Sequence, residues 1–142
     1  MDAEQDGEQV EDGRIWVGAC GESIAAAFLE QEGWEIVERN RTFDIGELDI
    51  VARRDEVIDG VAIPSFAFVE VKTRRSSTYM RSGSNITPRK RGKLVTLVKL
   101  YLALEDLKKV FARIDVIEVD LSGEEPVVHH FPRAIDADGR LR

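Results

Sequence analysis

The sequence predicts an α/β domain in which a mixed β-sheet is flanked by helices, in the order αβββαββ. Three observations carry this. Two stretches are apolar at helical spacing, five have strand character, and an Asp59-Gly60 turn signal separates the second strand from the third. Elements in that order pack as helices against a sheet. The chain has 142 residues, enough for one domain with a core that needs no staples.

The first helix is expected over Gly21–Gly33, with Cys20, Ile24, Ala27 and Phe28 forming its apolar stripe and Gly33 as its stop. Trp34–Asn40 alternates as a strand, and Gly46–Arg54 is the second strand. The third, Ser65–Arg74, follows the Asp59-Gly60 turn, so the second and third strands are expected to form a hairpin. A Ser/Gly-rich loop spans Ser76–Asn85. Thr87-Pro88 then opens the second helix, as N-cap and first helical residue. Its stripe is Leu94, Leu97, Val98, Tyr101 and Leu102. Ala112–Asp120 and Val127–Phe131 complete the set as the fourth and fifth strands.

Charge divides the chain. Residues 1–12 hold six of the 27 acids and none of the 20 bases, and carry almost nothing apolar to bury. We therefore read 1–13 as an acidic disordered tail, 14–136 as the domain and 137–142 as a C-terminal tail. From Lys72 to Lys99 there are nine bases and no acid, a block able to draw a polyanion to an acidic protein. Charge alone leaves a solvated loop and helix face equally open. One cysteine, Cys20, excludes an internal disulfide framework and fits a reducing cytoplasm. No apolar run has transmembrane length, and the polar start is not a signal peptide, so a cytoplasmic protein without a membrane partner is expected.

The third strand carries two charged residues in an apolar setting, Glu70 and Lys72 of "FVEVK". Residues two apart on a strand share a face. Glu47 and Asp49 share one on the preceding strand, so a hairpin in the right register brings Asp49, Glu70 and Lys72 together. Two carboxylates at ~4 Å repel by about 4 kcal/mol at an effective dielectric of ~20. Such a pair either keeps a proton or takes a cation between its members. Oxygen donors suit Mg²⁺, and a lysine beside it could manage a water or offset charge on a phosphoryl transition state. Glu-x-Lys by itself is most often a solvated surface pair worth at most about 1 kcal/mol.

Six segments occur in a telling order: "GESIAAAFLEQEGW" (Gly21–Trp34), "ERNRT" (Glu38–Thr42), "GELDIVA" (Gly46–Ala52), "FVEVKTR" (Phe68–Arg74), "TPRK" (Thr87–Lys90) and "RIDV" (Arg113–Val116). Together they resemble the bacterial UPF0102 (YraN-type) family, regarded as a branch of the PD-(D/E)xK nucleases near the Holliday junction resolvases. The resemblance implies a restriction-endonuclease-like core and a metal-dependent endonuclease acting on structured or branched DNA. RNA is not excluded as substrate, and the rival implication is a non-catalytic binding or interaction module in DNA repair or uptake. It implies Mg²⁺ or Mn²⁺ held by Asp49, Glu70 and the Val71 carbonyl, Lys72 as catalytic lysine, and Glu22 as an added site acid. For Glu22 a helix-start acid is nearly as good a reading. Arg39, Arg41, Arg74 and Lys90 are implied phosphate contacts, Arg39 to Arg41 alternatively bracing the site. Asp115 matches a family acid to which we assign no mechanistic role. Resolvases cut as dimers, so a homodimer is a further implication.

The chain departs from the family pattern in places. Arg41 is a shifted substitute for the arginine of an Asn-x-Arg segment. The Arg53–Ser65 connection is longer than usual and could stand beside the site. The glycine after the third-strand aromatic is absent, Tyr79 being followed by Met80. Adjacent His129 and His130 face opposite ways and make no zinc set with one cysteine. Cys20 reads as a small packing residue. Trp16 and Trp34 read as packing residues, and Tyr79 as a base-stacking candidate.

Overall fold

The five strand segments build one sheet in chain order: β1 (Glu35–Phe43), β2 (Gly46–Ile58), β3 (Val61–Arg74), β4 (Phe111–Asp120) and β5 (Val127–Ile135). With α1 (Gly13–Gln31) and α2 (Pro88–Leu104), this is the expected αβββαββ order, consistent with a restriction-endonuclease-like core. It is a computed structural model that describes residues 13–75 and 86–142, and side chains from Cys20 onward. The acidic tail through Asp12, the Ser76–Asn85 loop with Tyr79, and the Trp16 side chain lie outside the described residues. Neighbouring strands are antiparallel except β3 and β4, whose parallel pairing requires the α2 crossover. Among the described residues no helix is long and apolar enough to cross a membrane.

Each face of the sheet carries its own core. Leu48, Val51, Phe66, Phe68, Ile114 and Val116 pack with Leu94, Leu97 and Tyr101 of α2. Ile50, Ala52, Ala67, Val69, Ile117 and Val119 pack with Ala25, Ala26 and Leu29 of α1. Consecutive strand residues thus supply opposite cores, which is why β2 to β4 read as nearly unbroken apolar runs.

Several expected boundaries move. Helix α1 begins at Gly13, eight residues before Gly21, so that Gly13 belongs to the helix and not to the tail. Its buried stripe is Gly21, Ala25, Ala26 and Leu29. Ala27 is exposed, and Cys20, Ile24 and Phe28 are half-buried at the rim. Small residues face the sheet because the helix lies close to it: a Cβ on Gly21 would overlap Thr73 Oγ1 and sit 3.2 Å from Thr73 Cβ. Gly21→Ala is therefore expected to cost about 1–3 kcal/mol, although Ala is the better helix former. Urea unfolding would show it, with Thr73→Ala restoring part of the loss. A midpoint unchanged by Gly21→Ala would mean that α1 shifts outward without penalty. At the far end, Trp34 N–H donates to Leu29 O (3.0 Å) and Gly33 N–H to Glu30 O (3.1 Å), with Gly33 at φ 95°. This is a Schellman stop, as expected of Gly33.

β1 runs on to Phe43, and β5 passes Pro132 to Ile135 by a bulge. Ile114 pairs with Ile135 and Val116 with Phe131, so Asp115 faces Pro132, Arg133 and Ala134 together. Residues 137–142, expected as a tail, turn back onto β5: Arg142 N–H donates to Ala134 O at 2.9 Å and Leu141 bridges Ile135.

The Arg53–Ser65 connection is not a loop. β2 and β3 continue pairing through Asp55↔Pro64 to Ile58↔Val61, beyond the last partners in β1 and β4, as a two-stranded ribbon. Its tip is the expected turn, Asp59 (φ 52°) and Gly60 (φ 79°), a type I′ arrangement. The tip is roughly 33 Å of strand from Asp49, at ~3.3 Å per residue, so the ribbon leaves the end of the sheet remote from the candidate site.

Candidate functional site

The hairpin register sets Asp49 beside Glu70. Paired residues run from Ile58↔Val61 to Ile50↔Val69, and there the β2–β3 ladder stops. Beyond it, Val71 N–H donates to Asp49 Oδ2 at 2.9 Å, so the carboxylate takes the place of a ladder carbonyl. Strict alternation also fails here. Leu48 packs on the α2 side and Ile50 on the α1 side, although they are two apart. The β2–β3 ladder ends at Ile50, and Asp49 sits in the opening beyond it. The N–H and C=O of a strand residue lie on the same edge, so the Val71 carbonyl is directed to this opening too.

Glu70 is buried, 5% exposed, with its Oε2 3.1 Å from Lys90 Nζ in the first turn of α2. Burial drives the Asp49 carboxyl up to about 7, and the nearby Glu70 and Glu22 charges push the same way. The Val71 N–H and Lys90 oppose the rise without cancelling it. These are two carboxylates that cannot both be ionised cheaply.

Glu22 of α1 reaches the same end of the sheet. Its carboxyl is raised by burial and by Glu47 and Glu70, against the lowering effect of an Asn40 hydrogen bond and Arg39. Arg39 Nη2 lies 3.9 Å from Glu22 Oε1 and donates to Ser23 Oγ at 3.2 Å. Asn40 stands at φ 55°, a left-handed position that Asn tolerates. Arg39 and Asn40 thus both reach Glu22, the geometry that bracing would need. Asn40 lies in the segment named from the resemblance together with Arg39 and Arg41. Its signal was an asparagine within a strand, a residue type that favours turns over strands.

Lys72 follows Glu70 at the two-residue strand spacing and pairs in register with Glu118. Between β2 and α2 opens a cleft of about 190 Å³, bordered by Gly46, Glu47 and Asp49 on one wall and Lys90 and Lys93 on the other. Lys93 was not singled out from the sequence, yet it lies three residues after Lys90 and so on the same helix face. Thr87 caps α2 as expected: its side chain accepts from Lys90 N–H at 3.1 Å, with Pro88 as the first helical residue.

Two expected phosphate contacts are engaged elsewhere. Arg41 Nη1 donates to Glu38 Oε2 (3.0 Å) and Glu105 Oε2 (3.3 Å), and its guanidinium lies over Phe43 and Tyr101. Arg74 lies 3.7 Å from Glu118 Oε2 and 3.4 Å from Asp120 Oδ2. Arg39 and Lys90 stand at the site, though turned to Glu22 and Glu70. Asp115 pairs in register with Val69, whose side chain packs on the α1 face. Its ties to Arg113, His130 and the Arg133 N–H give it the structural role that the sequence left blank.

Among the described residues no three or more His, Cys, Asp or Glu side chains form a ready-made metal cage. Mg²⁺ does not require one, since it keeps several waters and uses one or two carboxylates. Asp49, Glu70 and the Val71 carbonyl are oxygen donors of the right kind, and the ammonium on Glu70 shows that the position accepts a cation. The residues present fit such an ion.

Comparison with known proteins identifies the family of the chain. The model of the "Uncharacterised protein family UPF0102" matches residues 21–119, which include Glu22, Asp49, Glu70, Lys72, Lys90 and Asp115. A UPF0102 protein of Syntrophotalea carbinolica is 38% identical over 126 residues, covering 89% of this chain and 96% of its own. One from Myxococcus xanthus is 38% identical over 120 residues, with 84% and 89% covered. One from Trichlorobacter lovleyi is 39% identical over 121 residues, with 84% and 90% covered. A chain that shares this much sequence along nearly its whole length with these proteins belongs to the UPF0102 family.

Proposed function

We propose that this protein is a metal-dependent endonuclease that hydrolyses phosphodiesters in structured or branched DNA. The observation that carries the reading is the pairing of half-buried Asp49 with buried Glu70, with a cation already held against Glu70 and Lys72 two residues along the same strand. Asp49, Glu70 and the Val71 carbonyl would hold Mg²⁺ or Mn²⁺. When bound, the ion would polarise the phosphate and acidify a water. Lys72 would position that water or offset charge on the phosphorane-like transition state. Glu22, whose carboxyl burial raises above its ordinary value and which Arg39 and Asn40 hold, would hold or pass a proton at the edge of the site.

The cationic side of the cleft supports an anionic substrate. Helix N-termini favour acids, yet the first turn of α2 contains none and carries Arg89 and Lys90. A sequence that sets cations against the positive end of a helix dipole breaks a local rule, and such breaks cluster at functional sites. The N-terminal N–H groups, Arg89 and Lys93 would together receive a phosphate.

The test is cleavage of labelled four-way junction, flap, duplex and single-stranded DNA, with an RNA arm, in Mg²⁺, Mn²⁺ or EDTA. Cutting should need metal and vanish in Lys72→Ala and Asp49→Ala, both still folded by circular dichroism. The preferred substrate would name the class, and paired symmetric cuts would point to a dimer. Binding to these nucleic acids with no cutting in any metal would replace this reading with that of a non-catalytic binding module.

A further inference from the structure

Among the carboxylates that the fold buries at the sheet centre, Asp115 and Glu70 are neutralised in opposite ways. Asp115 is fully buried and gripped by Arg113, 11% exposed, through two hydrogen bonds of 3.1 and 3.0 Å. Glu70, 5% exposed, has a lysine whose side chain is 48% exposed, at 3.1 Å. A guanidinium fork is pre-organised for a carboxylate, and here it is sealed in. An ammonium on a four-carbon stem is a strongly hydrated point charge that water readily takes back. The first arrangement is built to stay and the second to come apart.

The surroundings of Lys90 make the parting easy. Its backbone is anchored, since Lys90 N–H is held by the Thr87 cap, so only the side chain need swing. Its other flank is the cleft that it borders with Lys93 and Asp49, open on the cationic end of α2. Glu70 meanwhile is too buried to be left without a counter-charge.

Resting on the reading of Asp49 and Glu70 as metal ligands, we infer that Lys90 is an exchangeable counter-ion. It holds Glu70 in the cation-free protein and yields that place to a divalent metal ion. The freed ammonium then joins Arg89 and Lys93 at the mouth of the cleft, where a phosphate would lie. Cation entry thereby converts a clamp on the metal ligand into a substrate contact.

The experiment reads Lys90 directly. The full-length protein is acylated with an N-hydroxysuccinimide acetate, with and without Mn²⁺, and labelling is followed by mass spectrometry with Lys93 as internal reference. Thermal shift with Mn²⁺ establishes binding in parallel. Mn²⁺ should raise Lys90 labelling severalfold relative to Lys93, and Asp49→Ala should abolish both responses. Lys90→Met should also tighten Mn²⁺ binding severalfold, and more than Lys93→Met, which removes a cleft charge without touching Glu70. A Mn²⁺ thermal shift with Lys90 labelling unchanged would overturn the exchange and leave the metal site standing. No thermal shift at millimolar Mn²⁺ would remove the metal site, and the exchange with it.

Discussion

Asp115→Ala should cost about 3–5 kcal/mol of folding stability, the range for stripping one partner from a buried ion pair. That is a large share of the ~5–15 kcal/mol typical of a domain. The cost follows from what would be left behind. Arg113 would lose both hydrogen bonds while remaining buried and stacked over Trp34 at 4.7 Å. The Arg133 N–H, now 3.0 Å from Asp115 Oδ1, would lose its acceptor at a bulge where Arg133 already stands at φ 52°. His130 Nε2, 2.7 Å from Oδ2, would lose the contact that sets its ring edge-on to Phe28 of α1. One carboxylate thus ties β4, the β5 bulge and the α1 layer. Asp115→Asn should cost less, since its carbonyl can still accept from Arg133, but its amide would face donors. Urea midpoints for the two variants would rank them. A loss below about 1 kcal/mol for Asp115→Ala would refute the hub, being no more than a surface pair contributes.

Acid sensitivity gives the same residue a second test. Burial pushes the Asp115 carboxyl up, but the His130 hydrogen bond, the Arg133 N–H and Arg113 together carry it below the ordinary value. A carboxyl with a depressed folded value stabilises the protein above its unfolded value of ~3.9, and that contribution fades as pH falls through the folded value. The gap in stability between wild type and Asp115→Ala should therefore be constant at neutral pH and narrow only below about pH 4. A gap that closes already near pH 6 would assign the contribution to another group.

What could be read from the sequence, and what could not, divides along the range of the interactions involved. The order of elements follows from periodicity and local punctuation: the Thr87-Pro88 start, the Gly33 stop and the Asp59-Gly60 turn all behave as expected. The meeting of Asp49 with Glu70 was legible only as a condition, since the sequence does not fix a hairpin register; the pairing from Ile58↔Val61 to Ile50↔Val69 sets it. Lys90 on Glu70 was not, since the distance from α2 to β3 is set by core packing around Leu94 and Leu97. Asp115 was recognised without a role because its partners come from positions 113, 130 and 133, gathered by a bulge that Pro132 disguised as a strand end. The first two turns of α1 were missed because Gly13 and Gly18 weaken the helical signal there. The rotated stripe of α1 has a related cause: large apolar residues at helical spacing read as core, whereas close approach at Thr73 selects Gly21, Ala25 and Ala26.

Asp49→Asn should make the metal-free protein more stable, and by about 2–3 kcal/mol more at pH 8 than at pH 5. The sign comes from the raised Asp49 carboxyl, at about 7 in the folded protein against an ordinary 3.8. An acid with a raised folded value holds its proton more tightly folded than unfolded. Wild-type stability should therefore fall as pH climbs from about 4 to about 7, and the full penalty persists above that. Asparagine keeps an acceptor for the Val71 N–H at the same place and carries no charge to repel Glu70. Thermal melts at pH 5 and pH 8 would show the difference, and equal destabilisation at both would mean that the ionised carboxylate supports the fold. If Asp49 and Glu70 hold a divalent cation as proposed, that cation would also stabilise the folded protein that binds it. Mn²⁺ at pH 8 should raise the wild-type melting temperature and leave Asp49→Asn nearly where it was. The variant would then be the sturdier protein without metal, and wild type would recover the difference only with it. A residue that weakens the empty fold and strengthens the loaded one is retained for the loaded one, which is how stability and activity trade at functional sites.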